Sequence, residues 1–240
     1  MPTEIVGATP DDSPLRLPFG RNPGPGKLIS IDGLDGAGKS TLARGLADLL
    51  TGVGLSVVRT RFPTDHMRRL DFFDLVQRQG RVDVVDPTAF EVEYMVDRIQ
   101  HSKIFIEPAL RAGSWVIADR YALSSIGTLL LRLPTLCRTA ISAISSEAWF
   151  KDLCRYLVRP DLALMLRVDP ATAVTRLNTR EGEIDRGIDA GQYADLQRFV
   201  LDVARANEMR VVDTTGPFDA VLDACATLVD GLRSSGGLEA

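Results

Sequence analysis

Histidine and cysteine are scarce: two and three, respectively, in 240 residues. With only His66 and His101 present, a histidine-rich metal centre is excluded, and both rings are expected to be structural or exposed. Cys137, Cys154 and Cys225 have no metal-ligand spacing, and any disulfide would leave one of them unpaired. Buried free thiols in a reducing cytoplasm are the economical expectation. No apolar run approaches the ~20 residues of a membrane span. Positive charge is not in excess either. The 28 Lys and Arg against 32 Asp and Glu give a net charge of −4, which argues against a surface for nucleic-acid polymers. Any anionic substrate must therefore be met by a local cluster of cations. Large apolar side chains are few before Gly26, where Pro2, Pro10, Pro14, Pro18, Pro23 and Pro25 fall. That stretch, residues 1–26, is expected to be a flexible arm, and it lacks the apolar centre of a secretory signal.

What remains is rich enough in apolar residues for a substantial core, with 45% hydrophobic and 25% charged residues overall. A single soluble domain over 27–233 is expected, followed by a short flexible tail at 234–240. Apolar strand patterns fit Leu28–Asp32, Ser56–Thr60, Trp115–Asp119, Leu162–Val168 and Arg210–Asp213. Most are apolar on both faces, as in a parallel sheet covered by helices. Helical patterns fit Ser40–Leu50, Met67–Gln79, Pro87–Ala112, Tyr121–Leu131, Pro134–Val158, Ala171–Thr179, Tyr193–Ala206 and Phe218–Leu232. The alternation predicts an α/β fold: a five-stranded parallel sheet flanked by helices in three layers, with ligands at the carboxyl ends of the strands.

One segment carries most of the chemistry. The apolar run Ile29-Ser30-Ile31 leads into Gly33-Leu34-Asp35-Gly36-Ala37-Gly38-Lys39-Ser40-Thr41, and a helical pattern follows. Strand, glycine loop and helix in that order are the P-loop NTPase signature. Glycines let successive N–H groups face an anion, and the helix adds its positive end. Lys39 is expected at the β- and γ-phosphates of ATP, and the Ser40 hydroxyl on Mg²⁺. The bland alternative is a glycine-rich turn. Downstream, Trp115-Val116-Ile117-Ala118 ends in Asp119-Arg120-Tyr121. Asp119 can hold Mg²⁺ and Arg120 can grip a phosphate, unless the two form a mere surface ion pair. No Asn-Lys-x-Asp motif is present, which disfavours a GTPase switch.

Taken together, the glycine loop, Arg61-Phe62-Pro63, Asp119-Arg120-Tyr121, Arg159-Pro160-Asp161 and Val168-Asp169-Pro170 resemble the thymidylate kinase family, in its order and spacing from about Lys27 to Leu232. The resemblance implies transfer of the ATP γ-phosphate to dTMP or a related nucleoside monophosphate; the alternatives are a kinase of another nucleotide or nucleoside-like metabolite, or an inactive nucleotide-binding regulator. It implies that Asp35 contacts the acceptor sugar and that Arg120 holds the acceptor phosphate. Phe90, Tyr94 and Arg98, four residues apart, share a helix face. The family places a base-stacking ring at Tyr94 and a base-reading arginine at Arg98, with Phe62 as apolar wall. An aromatic stripe in the core is the alternative. Arg176, Arg180 and Arg186 suit a lid over about 176–190, with Arg180 and Arg186 as catalytic cations, or else an ordinary charge-mixed helix end. Gly36 stands where some members carry an arginine, which shifts that role to the lid. Two departures concern the acceptor: Thr128-Leu129 replaces the usual Tyr-Gln pair, and Asp65 stands where some relatives have an arginine, with Arg68 and Arg69 as possible substitutes. The family also implies a homodimer.

Overall fold

The computed structural model describes residues 16–77, 79, 81, 86–124, 148–179 and 189–235. Five strands form one parallel sheet: β1 (Leu28–Gly33), β2 (Val57–Arg61), β3 (Trp115–Asp119), β4 (Leu162–Arg167) and β5 (Arg210–Asp213), in the order β2-β3-β1-β4-β5. β1 and β3 are buried along their whole length. Strands sealed on both faces favour the near-continuous apolar runs seen in the sequence. β2 and β5 lie at the edges, where Arg59, Arg61 and Arg210 reach solvent.

Helix α1 (Lys39–Gly52) starts at Gly38 and buries Leu42, Ala43, Leu46, Ala47 and Leu50. The helix expected over Met67–Gln79 is interrupted. A short 3₁₀ turn (Met67–Arg69) precedes α2 (Asp71–Gln77), and Leu70 between them is extended. The long helix expected at Pro87–Ala112 is present but changes pitch. α3 (Pro87–His101) passes through a π turn (Ser102–Ile106) into α4 (Glu107–Arg111). Pro108 has no N–H to donate and its ring crowds the carbonyl four residues back, so the backbone widens just before it. Asp86 caps α3 by accepting from the Ala89 N–H, with Pro87 in the first turn. The rest of the described helical structure is α5 (Ala148–Cys154), α6 (Pro170–Asn178), α7 (Ala190–Ala206) and α8 (Phe218–Ser235). Of the helix expected at Tyr121–Leu131, residues 125–131 lie outside the described residues, as does most of that at Pro134–Val158.

Two motifs of the family resemblance are structural. Asp161 accepts from the Leu28 N–H (2.9 Å), from Asn22 Nδ2 (2.9 Å) and from Lys27 Nζ (3.1 Å), fixing the start of β1. Asp169 caps α6, accepting from the Thr172 N–H at 2.9 Å, with Pro170 at the first helical position.

The expectation of a flexible arm through Gly26 is corrected for residues 16–26. Leu17 is buried and its N–H donates to Asn207 Oδ1 at 2.8 Å. Gly20 pairs with the 157–159 segment, donating to Leu157 O (2.8 Å) and accepting from the Arg159 N–H (2.7 Å). Phe19 stacks on Tyr121 with ring centroids 6.2 Å apart. Composition understated this segment because two apolar side chains and a few backbone bonds suffice to anchor eleven residues already tethered to β1. Cys154 and Cys225, as expected, are buried free thiols. No described helix is long and apolar enough to cross a membrane.

Candidate active site

The carboxyl ends of β2, β3 and β1 are neighbours, and they bring the separate motifs together. Ile31 pairs with Asp119 across β1 and β3, and the Arg120 N–H donates to Ile31 O at 2.9 Å. The Phe62 N–H donates to Asp119 O at 3.0 Å, tying the end of β2 to the same point. The glycine loop leaves β1 here, so Gly33, Asp35, Gly36, Ala37, Gly38, Lys39, Ser40 and Thr41 stand beside Asp119 and Arg120.

Within the loop, Gly36 and Gly38 both have φ of 86°, a left-handed conformation that glycine adopts without steric cost. At Gly36 space is limiting as well. A Cβ there would lie 2.9 Å from Ala173 O on α6. The close approach of that helix explains why no arginine occupies position 36.

Lys39 is buried, donating to Leu34 O at 2.7 Å and lying 3.5 Å from Asp35 Oδ1. Burial, and then the Arg120 charge, push its pKa down to about 8, partly offset by Asp35 and Asp119. Arg120 donates to Asp35 Oδ1 through Nη2, so one carboxylate holds both cations. Arg120 also has φ of 69°, a conformation that costs a non-glycine residue roughly 1–3 kcal/mol and clusters at functional sites. Burial opposes its charge, but Asp35 and Asp119 more than offset this and its pKa is raised. Asp35, expected at an acceptor sugar, is in this arrangement the bridge between Lys39 and Arg120.

Ser40 and Thr41 face different cavities. Ser40 and Asp119 line one of about 470 Å³, together with Arg44, Arg61 and His101. Thr41 lines another of about 380 Å³ with Gly38, Arg176, Thr214 and Phe218. Asp119 Oδ1 is buried with no hydrogen-bond partner among the described residues. A buried carboxylate oxygen without a donor is costly unless a cation meets it. Beside the Ser40 hydroxyl it therefore fits Mg²⁺, which prefers oxygen ligands.

Phe90, Tyr94 and Arg98 do share one face of α3, and all three are buried, as is Phe62. The Arg98 guanidinium lies 5.4 Å from the Tyr94 ring centroid and 5.7 Å from that of Phe62. It donates from Nε to Tyr121 O (2.7 Å) and from Nη1 to Tyr94 O (3.0 Å). Arg98 is thus the opposite of a snorkelling side chain: two of the five N–H donors of a guanidinium are fixed on backbone carbonyls.

Sequence reasoning missed the groups that hold this assembly. Asp32, fully buried at the end of β1, accepts at Oδ1 from the Tyr121 N–H (2.9 Å), the Ser124 N–H (2.9 Å) and Ser124 Oγ (2.5 Å). It fixes the turn after Arg120, although burial raises its pKa against those hydrogen bonds. Asp97 accepts from the Thr64 N–H at 2.9 Å and from the Thr64 hydroxyl, bracing the loop after Phe62 against α3. The only local signal was a carboxylate next to each motif. Of the positions around Asp65, Asp65 itself is exposed and lies 3.6 Å from Arg61. Arg68 is half-buried, donates from Nε to Pro63 O at 3.0 Å, and has its pKa lowered by burial and then by the Arg61 charge.

Arg176 does not belong to a lid: it lies in the last turn of α6 and donates to Gly36 O (3.1 Å) and Thr214 O (3.3 Å). Since α6 runs to Asn178 and α7 starts at Ala190, the segment between them is shorter at both ends than the expected 176–190. Arg180 and Arg186 lie outside the described residues, as does Thr128-Leu129.

Comparison with known proteins agrees with this geometry. The sequence profile of thymidylate kinase matches residues 31–224. A probable thymidylate kinase of Thermococcus onnurineus is 32% identical over 215 residues, covering 85% of this chain and 97% of that protein. The thymidylate kinase of Methylococcus capsulatus is 32% identical over 214 residues, covering 87% and 97%. The structure of thymidylate kinase from Ehrlichia chaffeensis matches with a TM-score of 0.61 at 21% identity, over 87% of this chain and 99% of that one, which shows a shared fold. On its sequence and on the five-stranded P-loop fold that carries its site, the chain belongs to the thymidylate kinase family of ATP-dependent phosphotransferases.

Proposed function

We propose that the chain transfers the γ-phosphate of ATP to dTMP. An oxygen of the acceptor phosphate forms the new bond to the γ-phosphorus, the bond to the β–γ bridging oxygen breaks, and ADP leaves. The observation that carries this reading is the convergence of Lys39 and Arg120 on Asp35, beside the orphaned Asp119 oxygen. Phosphoryl transfer requires positioning and charge neutralisation more than covalent help, and this site supplies both.

In this reading Lys39 and the loop amides of Gly33–Thr41 hold the donor phosphates, and the 380 Å³ cavity beside Thr41 receives the donor's base. Ser40 and Asp119 hold Mg²⁺, which when bound neutralises charge on the donor's β- and γ-phosphates. Arg120 holds the acceptor phosphate and Asp35 the acceptor sugar. Tyr94, Arg98 and Phe62 form the acceptor-base side. Arg180 and Arg186 supply further positive charge at the transferred group. A second reading, a kinase of a different nucleotide or nucleoside-like metabolite, is favoured by Asp65, which presents a carboxylate where some relatives carry an arginine.

A coupled ADP-release assay with dTMP, the other nucleoside monophosphates and free nucleosides tests the assignment. Turnover is expected with dTMP and to exceed that with every other acceptor. Activity confined to an unphosphorylated nucleoside, or none with any acceptor, would reject it.

The chain is further proposed to be a cytoplasmic homodimer. Buried free thiols suit a reducing compartment. Val96, Ile104 and Phe105 are exposed along α3 and the π turn at 45%, 73% and 37%, an apolar surface of the kind that pairing covers. Sedimentation should give about twice the 26.2 kDa chain mass, and Ile104→Asp should shift the protein to monomer. A monomeric wild type would refute the pairing.

A further inference from the structure

Three side chains from the C-terminal half of the domain meet three successive carbonyls of the glycine loop. Tyr193 Oη, on α7, donates to Asp35 O at 2.9 Å. Arg176 Nη1, on α6, donates to Gly36 O at 3.1 Å. Thr214 Oγ1, just after β5, lies 2.9 Å from Ala37 O and 3.0 Å from Arg167 O, and its single proton is shared between these two acceptors. The flanking carbonyls are taken locally: Leu34 O by Lys39 Nζ and Gly38 O by the Leu42 N–H. Every carbonyl from residue 34 to 38 is therefore engaged.

The direction of these bonds matters. In a trans peptide, the C=O of one residue and the N–H of the next point opposite ways. Holding Asp35 O and Ala37 O outward aims the amides of Gly36 and Gly38 the other way. Glycines with φ of 86° on both sides would otherwise let those peptide planes rotate at little cost. Tyr193 and Thr214 are buried at 0% and 7% exposure, so their bonds are shielded from competing water. Arg176 also donates to Thr214 O at 3.3 Å, joining two of the three clamps into one network.

We propose that Tyr193 and Thr214 are positioning residues that clamp the Asp35 and Ala37 carbonyls and so pre-aim the Gly36 and Gly38 amides at the donor phosphates, while Arg176 ties Thr214 to Gly36 O, whose neighbouring Ala37 N–H is taken by Leu34 O at 3.2 Å. They act through the loop and need touch no phosphate. The inference rests on the reading of the loop as the ATP site but not on the identity of the acceptor. Preorganised donors avoid a reorganisation cost each time an anion arrives. The clamp also means that α6 and α7, which bracket residues 179–189, are bonded to the loop from both sides.

The test uses Tyr193→Phe and Thr214→Val, which keep side-chain volume and delete one hydroxyl each, with Thr214→Ser as the variant that retains it. Binding of a non-hydrolysable ATP analogue to the full chain is measured by calorimetry, alongside steady-state kinetics and melting. Tyr193→Phe and Thr214→Val should each weaken analogue binding about fivefold and lower kcat/KM for ATP in parallel. The acceptor KM should stay within about twofold, and Thr214→Ser should bind like the wild type. The double variant should lose less than the product of the single losses, because both act on one loop. Wild-type affinity in Tyr193→Phe and Thr214→Val would overturn the proposal. So would a large fall in Tm with equal losses for both substrates, which would assign the bonds to packing. A wild type that binds no ATP analogue would refute the assignment of the loop itself, a different outcome from either.

Discussion

Lys39→Ala is expected to lower kcat by about a thousandfold, with little change in melting temperature. The side chain is buried, yet its charge is disfavoured there. Burial and Arg120 bring its pKa down to about 8, so the fold gains little from keeping an ammonium at this position. Asp35 retains Arg120 as a partner after the substitution. In the proposed mechanism the transition state, in contrast, loses a cation at the donor phosphates. The same shift predicts a pH effect of definite sign. Under the proposed assignment Lys39 would bind phosphates as the ammonium, a form that is lost as pH rises through about 8. The value of kcat/KM for ATP, which reports the free enzyme, should therefore fall above pH 8, well below the ordinary lysine range. Bound phosphates restore the ammonium by adding negative charge, so kcat at saturating ATP should hold to higher pH. A kcat/KM for ATP that stays flat to pH 9.5 would contradict the assignment of Lys39.

The second large effect is at Arg98, where the structure changes what alanine would report. From the sequence, Arg98→Ala is expected to harm use of the monophosphate and spare ATP. The guanidinium, however, is fully buried between the Tyr94 and Phe62 rings and bonded to Tyr121 O and Tyr94 O. Alanine leaves a void between two aromatic rings and a carbonyl at Tyr121 without this donor. The expected cost is about 3–4 kcal/mol of stability, read as a fall in denaturation midpoint. Arg98→Lys separates the two roles. It keeps the positive charge and most of the volume but loses the planar fork. It should raise the acceptor KM at least about tenfold while leaving ATP binding within about twofold. Equal losses for both substrates in Arg98→Lys would make Arg98 a structural residue only.

The central strands were legible because each is a short apolar run, and Trp115–Asp119 and Arg210–Asp213 stand where the pattern put them. The long helix at 87–111 was legible in length but not in pitch, since the π turn depends on one missing N–H at Pro108 rather than on periodicity. The N-terminal segment was misjudged over 16–26 because proline content describes the chain's local freedom, whereas Leu17, Phe19 and Gly20 are held by residues more than a hundred positions away. Arg176 was misjudged for a related reason. Its spacing with Arg180 and Arg186 suggested one lid, and only the packing of α6 on the glycine loop assigns it to Gly36 O.

By itself the sequence determined the glycine loop, its strand and helix, the carboxylate–arginine pair after β3 and the shared face of Tyr94 and Arg98. Each of these is a relation within about ten residues, set by backbone geometry and side-chain period. The tertiary structure alone decided that Asp35 joins Lys39 to Arg120, that Asp32 holds the turn after Arg120, that no side chain fits at Gly36, and that Tyr193, Arg176 and Thr214 hold the loop's carbonyls. Apart from the local Asp35–Lys39 pair, these are contacts between groups 85 to 177 residues apart in the chain. A hydrogen bond is specified by where atoms sit within a few tenths of an ångström, and no local pattern carries that position until the sheet has ordered its strands.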